Sequence, residues 1–160
     1  VVAEVEGAAF GAGFSIALAC DLVVVAPGSR FCAAFGKVGL MPDLGLLWSL
    51  PQRVPMGRAR ELLMLCEVVG GQAAVAEHIA DMLAPEGEVV STALARAQRL
   101  AGAAPGAVAA VRRALAAWPQ GLDDVLRAEE VGQAMLIATA DHDGARKAFF
   151  EKREVVFGGR

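Results

Sequence analysis

A chain of 160 residues is long enough for one domain with a real core, and 56% hydrophobic against 21% charged residues excludes a disordered tail. The formal net charge of −3 supplies no basic field, so nucleic acid is not an expected partner. Cys20, Cys32 and Cys66 are odd in number, far apart and without a CxxC pair, so they read as reduced, mostly buried thiols of a cytoplasmic protein rather than a disulfide framework or a zinc site.

The first residues, VVAEVEG, lack a basic n-region and read as a strand already in progress, not a signal peptide. Such a start in mid-fold is a first sign of an upstream portion. Ala8 to Ala26 is the longest apolar run. Asp21 inside it would cost roughly 2.5–3.5 kcal/mol near a bilayer centre, and Gly11 and Gly13 interrupt it, so no membrane span is expected. The run reads instead as a glycine-rich turn over Gly7 to Gly13, a short helix over Phe14 to Cys20 ended by Asp21, and a buried parallel strand over Leu22 to Ala26. Pro27-Gly28-Ser29 is a turn, Phe31 to Phe35 a further short strand, and Gly36 to Gly45 a loop centred on Pro42 and Asp43.

The remainder is predicted mostly helical: Gly57 to Cys66, Gln72 to Asp81, and Ser91 to Leu100. Another helix is expected from Pro105 to about Ala117, with Pro at its first turn and a stop near Pro119. Leu122 to Ala138 carries Asp123, Asp124, Glu129 and Glu130 toward its start, which suits the helix dipole, and Asp143 to Glu154 makes a last helix. A β/α front and a helical back divide the chain at residues 1–90 and 91–160. These few strands cannot cover so much helix, which predicts a partner sheet from another chain or from absent residues.

The segment G7-A-A-F-G-A-G13 lies between a strand and a helix, an arrangement that aims backbone N–H groups at an anion or a polarised oxygen. A dinucleotide fingerprint is one reading. Gly11 and Gly13 fit it, but Ile16 stands at its third glycine, and no acidic residue follows about 20 positions on. An oxyanion hole for a thioester enolate is a second reading, and close strand–helix packing a third.

With its continuation to F14-S-I-A-L-A-C-D21, this segment resembles the signature of the crotonase (enoyl-CoA hydratase/isomerase) superfamily, a glycine-rich turn leading into an "ALACD" helix. The pieces that follow keep that family's order. F31-C-A-A-F-G-K-V-G-L-M-P-D43 resembles the loop walling the acyl pocket, L50-P-Q-R and G57-R-A-R-E-L the segment after it, and A148-F-F-E-K-R153 with Phe157 the C-terminal helix ending. The resemblance implies an α/β crotonase (ClpP-like) spiral fold, partial here, with a C-terminal helical trimerisation region. It implies an acyl-CoA substrate, no cofactor beyond the coenzyme A of that substrate, no metal, and a homo-trimer, hexamer or N-terminal partner chain.

Carried over position by position, Ala12 is the oxyanion N–H donor, flanked by Gly11 and Gly13. Phe14 and Phe35 are candidates for lining the acyl pocket, and Phe149 and Lys152 for holding adenine and phosphate, a lysine suiting phosphate charge. Ser15 and Phe35 stand where the family's hydratases place two glutamates, and neither is a general acid or base at neutral pH. Asp43 occupies the Pro-Asp position that isomerase-type members use to carry a proton between carbons. The expected function is therefore isomerisation of a 3-enoyl-CoA to a 2-enoyl-CoA. Hydration, dehalogenation with Asp43 as nucleophile, and a truncated non-catalytic subunit are the alternatives. A Pro-Asp turn in which Asp43 caps the backbone is the competing role for that residue. Leu46-Leu47 replaces the family's usual Gly-Thr, which would narrow the pocket or disturb the following helix. Asp21 reads as a structural carboxylate, Arg112 and Arg113 as solvated, and His78, at a usual glycine position, and His142 as non-catalytic.

Overall fold

The computed structural model describes residues 1–117 and 121–160, so the expected stop at Pro119 lies outside the described residues. Strand β1 (Val2–Val5) turns at Gly7 into β2 (Ala8–Phe10), helix α1 (Ala12–Leu18) returns the chain, and β3 (Leu22–Val25) and β4 (Arg30–Cys32) repeat the path. Each coil thus contributes one strand to each of two sheets. β1 pairs with β3 in parallel, Val2 opposite Leu22, and β2 with β4 in parallel, Ala8 opposite Arg30. The expected glycine turn over residues 7–13 is therefore strand at its centre, because Ala8 to Phe10 find ladder partners in the next coil.

The predicted strand over Phe31 to Phe35 ends at Cys32, and a 3-10 helix (Ala34–Val38) follows it. Next come α2 (Leu46–Arg53), α3 (Met56–Leu65), β5 (Val69–Gly70) and α4 (Gly71–Ala76). β5 lies antiparallel to β4, closing a β2-β4-β5 sheet; β6 (Met82–Leu83) completes β1-β3-β6. The helix predicted to reach Asp81 stops at Ala76. His78 takes a left-handed φ of 64°, and Ile79 and Ala80 turn into the core at 0% and 2% exposure. A buried corner joins the coils. Ser29 Oγ donates to the Val5 carbonyl at 2.7 Å and accepts from the Ala26 N–H at 3.0 Å, and the Ser29 carbonyl accepts from Gly71 N–H at 2.7 Å. A Cβ on Gly71 would stand 2.3 Å from the Ala26 carbonyl oxygen, so only glycine fits there.

The chain divides into two compact units, Val1–Ala97 and Gln98–Arg160. The first holds a core of Phe14, Val23, Val25, Phe31, Leu46, Leu50, Leu62 and Ile79, and a smaller cluster of Val24, Ala84 and Val89 against which Met82 packs. Helix α5 (Val89–Ala101) runs across the division. The second unit contains α6 (Pro105–Ala116), α7 (Leu122–Ile137) and α8 (Ala140–Glu151). Thr139 Oγ1 caps α8 by accepting from His142 N–H at 3.2 Å. The Asp141 carboxylate takes the Gly158 and Gly159 N–H groups at 2.7 and 2.8 Å, tying the terminal residues back to α8. Among the described residues, no helix is long and apolar enough to cross a membrane.

Candidate active site

The turn between β2 and α1 is built on Gly11. Its φ of 52° and ψ of −120° are open to glycine and strained for any residue with a Cβ. Its N–H donates to the Cys32 carbonyl at 2.9 Å, and its carbonyl accepts from the N–H groups of Phe14 and Ser15 at 3.0 and 3.2 Å. The N–H groups of Ala12 and Gly13, in the first turn of α1, are left without an acceptor among the described residues, and both residues are exposed. Here the backbone presents donors to an incoming oxygen. The Phe35 ring lies against this turn, 4.0 Å from where a Gly11 Cβ would stand. Phe14 points the other way, 1% exposed, its ring centroid 5.2 Å from that of Phe31. Ser15 is fully buried, its hydroxyl 3.4 Å from the Gly11 carbonyl oxygen.

Asp43 lies two residues before Gly45, the cap of α2, and α2 packs on α1. Its side chain is exposed and makes no hydrogen bond or ion pair among the described residues; only its carbonyl is engaged, by Leu46 N–H at 3.1 Å. The carboxylate therefore caps nothing. Leu44 and Gly45 follow with left-handed φ values of 50° and 80°, and for leucine that conformation is strained. Helix α2 starts there despite the Leu46-Leu47 departure. Leu46 is fully buried in the core, while Leu47 is 48% exposed. Behind the turn, Cys32 Sγ donates to the Cys66 carbonyl at 3.2 Å. Burial pushes the Cys32 thiol pKa up, against a downward pull from Lys37 and with a further upward push from Cys66.

Gly11, Ala12, Gly13 and Phe35 are thus brought together. Phe149 and Lys152 belong to the second unit, at the end of α8. Phe149 is 79% exposed, stacked edge-on against Phe150 with centroids 5.7 Å apart. Lys152 is exposed, in the left-handed cap position, without an ion pair among the described residues. The second unit also has a groove of about 540 Å³ between α6, α7 and α8, walled by Ala107, Ala110, Ala128, Gly132 and Leu136. None of the expected substrate-contacting residues lines it.

Sequence reading passed over two features. One is that Leu47, noted there only as a departure, shares an outward face with Trp48, which helical spacing does reveal once Leu46 and Leu50 are taken as the inward i, i+4 pair. The other is Arg53, whose guanidinium reaches Asp81 at 3.2 Å and the Ile79 carbonyl at 3.3 Å, and which has no local sequence signal.

A coiled pair of sheets with free N–H groups at a glycine turn defines a crotonase-fold protein. Known structures agree: the crystal structure of an enoyl-CoA hydratase from Polaromonas sp. JS666 matches with a TM-score of 0.93 at 36% identity, covering 99% of this chain and 62% of that one. An enoyl-CoA hydratase from Mycobacterium marinum matches with a TM-score of 0.93 at 31% identity, covering 99% and 66%. The chain belongs to the enoyl-CoA hydratase/isomerase family, whose sequence model matches residues 1–160. Among curated proteins, a "Probable enoyl-CoA hydratase" of Rhodobacter capsulatus is 38% identical over 164 residues, and a carnitinyl-CoA dehydratase of Salmonella paratyphi A is 31% identical over 165. The chain spans 63% of the length of each of these curated relatives.

Proposed function

We propose that this chain acts on an acyl-CoA thioester and that Asp43 shuttles a proton in converting a 3-enoyl-CoA to a 2-enoyl-CoA. The observation that carries this is the carboxylate of Asp43, without a partner among the described residues, in the loop leading into the helix that packs on α1. In this scheme the Asp43 carboxylate removes a proton from C2 of the thioester. The electron pair moves onto the thioester oxygen as a dienolate, and the Ala12 N–H, with one further donor, holds that charge. Asp43 then returns the proton at C4, so no water and no second carboxylate are consumed. Phe149 and Lys152 present an aromatic face and a cation suited to adenine and phosphate.

Hydration is the second reading, favoured by the names of the relatives. It requires an acid that neither buried Ser15 nor Phe35 supplies. The partner we propose is further copies of this chain, as a trimer or hexamer, or a chain that supplies the strands flanking β1 and β2. Both strands lie at sheet edges among the described residues.

The test is calorimetric titration with acetoacetyl-CoA, followed by turnover of 3-enoyl-CoA and crotonyl-CoA. Asp43→Asn should lower isomerisation by about 10²- to 10⁴-fold while leaving the fold intact. Water addition to crotonyl-CoA that survives this substitution would replace isomerase with hydratase. Absence of any acyl-CoA binding would make the chain a non-catalytic subunit.

A further inference from the structure

Nothing in the local sequence stops α8 at Glu151. Glu151, Lys152, Arg153 and Glu154 are all good helix formers, with no glycine or proline among them. Lys152 nevertheless takes a left-handed φ of 53°, at a cap position that favours glycine. The chain reverses there: Lys152 N–H donates to the Phe149 carbonyl at 3.3 Å, and Arg153 N–H to the Ala148 carbonyl at 3.1 Å. Residues 153–160 then run back along α8. Val155 and Phe157 are half-buried while Val156 is 94% exposed, the alternation of an extended segment laid on a surface. At the start of α8 the segment meets Asp141, whose carboxylate takes the Gly158 and Gly159 N–H groups and whose own N–H donates to the Arg160 carbonyl at 2.9 Å. The carboxylate is free for this because Thr139 supplies the helix cap. The stretch 153–158 reaches at most roughly 20 Å when extended. It has to cover the roughly 18 Å length of α8, so it has little slack.

We infer that Asp141 is a positioning residue for Lys152: its clasp on residues 158–160 holds the segment taut and so fixes the reversal that presents the lysine ammonium to a nucleotide phosphate. The inference rests on the reading of Phe149 and Lys152 as the residues that meet the adenine and phosphate of coenzyme A. A left-handed conformation at a lysine persists only where its surroundings impose it, and the taut segment is what imposes it here. Glu151 and Arg153 pair with each other at 2.5 Å, which leaves the Lys152 ammonium, without an ion pair among the described residues, open to an anion. Released from Asp141, residues 152–154 would continue α8 as right-handed helix, and Lys152 would point in another direction.

The experiment titrates the 160-residue chain calorimetrically with acetoacetyl-CoA and with acetoacetyl-pantetheine, which carries the same thioester without the nucleotide. The ratio of the two affinities reads the nucleotide contact alone. Asp141→Ala should weaken acetoacetyl-CoA about tenfold or more and leave acetoacetyl-pantetheine unchanged. Gly159→Ala should act in the same direction, because it strains the left-handed Gly159 (φ 73°) while keeping the carboxylate, and it carries the test if Asp141→Ala fails to fold. Lys152→Ala should lose the same increment, and combining it with Asp141→Ala should cost nothing further. Asp141→Asn, whose amide oxygen still accepts N–H groups, should restore part of the loss. Variants at Asp141 and Gly159 that keep the wild-type ratio, while Lys152→Ala loses it, would overturn the inference alone. So would equal weakening of both ligands, which would make the clasp merely structural. If the wild-type chain binds neither ligand, or both equally, the reading of Phe149 and Lys152 falls together with it.

Discussion

Gly11 carries two constraints at once: a positive φ and a hydrogen bond to the neighbouring coil. Gly11→Ala should therefore cost roughly 1–3 kcal/mol, read as a lowered denaturation midpoint, and should also displace the Ala12 N–H. Cys32 illustrates a different residue-scale effect. Burial raises its pKa above the ordinary 9.0, so the folded thiol stays protonated where the unfolded one ionises. Its contribution to stability is complete below pH 9.0 and is lost as pH rises beyond it through the folded value. With a disulfide reagent at pH 8–9, half-buried Cys20 should react first and Cys32 only on unfolding. Early loss of the Cys32 thiol would contradict this account.

At the scale of elements, α2 shows how a short helix is placed by what it packs on. Pro51 inside it removes an N–H donor, which is why sequence alone did not mark residues 46–53 as helical. Leu46 and Leu50, both fully buried, supply the stabilisation that propensity does not. Leu46→Ala should cost about 2–5 kcal/mol by denaturant titration. Its far end is tied by Arg53 to Asp81, whose carboxylate also accepts the buried Val23 N–H at 2.6 Å. Asp81→Ala leaves that N–H unpaired in the central strand β3. A loss of about 1–3 kcal/mol is expected, and a loss as large as this in Arg53→Ala alone would shift the emphasis to the guanidinium. Helix α3 is fastened similarly, with Arg58 held between Glu77, Glu67 and Glu61, whose hydrogen bonds raise its pKa.

At the scale of the whole molecule, the two units differ in what they bury. Helices α6 and α7 have no buried residue among those described, and Ala148 is the one described residue beyond Ala97 that is buried. Val111, Leu115, Val131 and Met135 remain 55–62% exposed. Sixty-odd residues with so small a core fall short of the burial that independent stability needs, so a protein partner is expected on these helices. Sedimentation should show an assembly larger than a monomer, and Met135→Asp with Val131→Asp should dissociate it. A stable monomer by this measure would remove the case for further copies.

By itself, the sequence determined the coil of strand, glycine turn and apolar helix, because Gly11 and the branched run Leu22 to Val25 admit few backbone alternatives. It also determined the family, since residues 7–21, 31–43 and 148–153 carry a motif in fixed order. Asp43 was visible as a candidate because it stands at the Pro-Asp position of the motif that the family resemblance supplies. Which glycine-segment residues were strand and which turn was decided only by the tertiary structure, since Ala8 to Phe10 become a strand by pairing with a coil some twenty residues away. The tertiary structure also decided that Leu46 goes inward and Leu47 outward, that His78 ends a helix, and that Arg53 finds Asp81. Each of these depends on contacts distant in sequence, and local propensity carries no information about a partner that has yet to arrive.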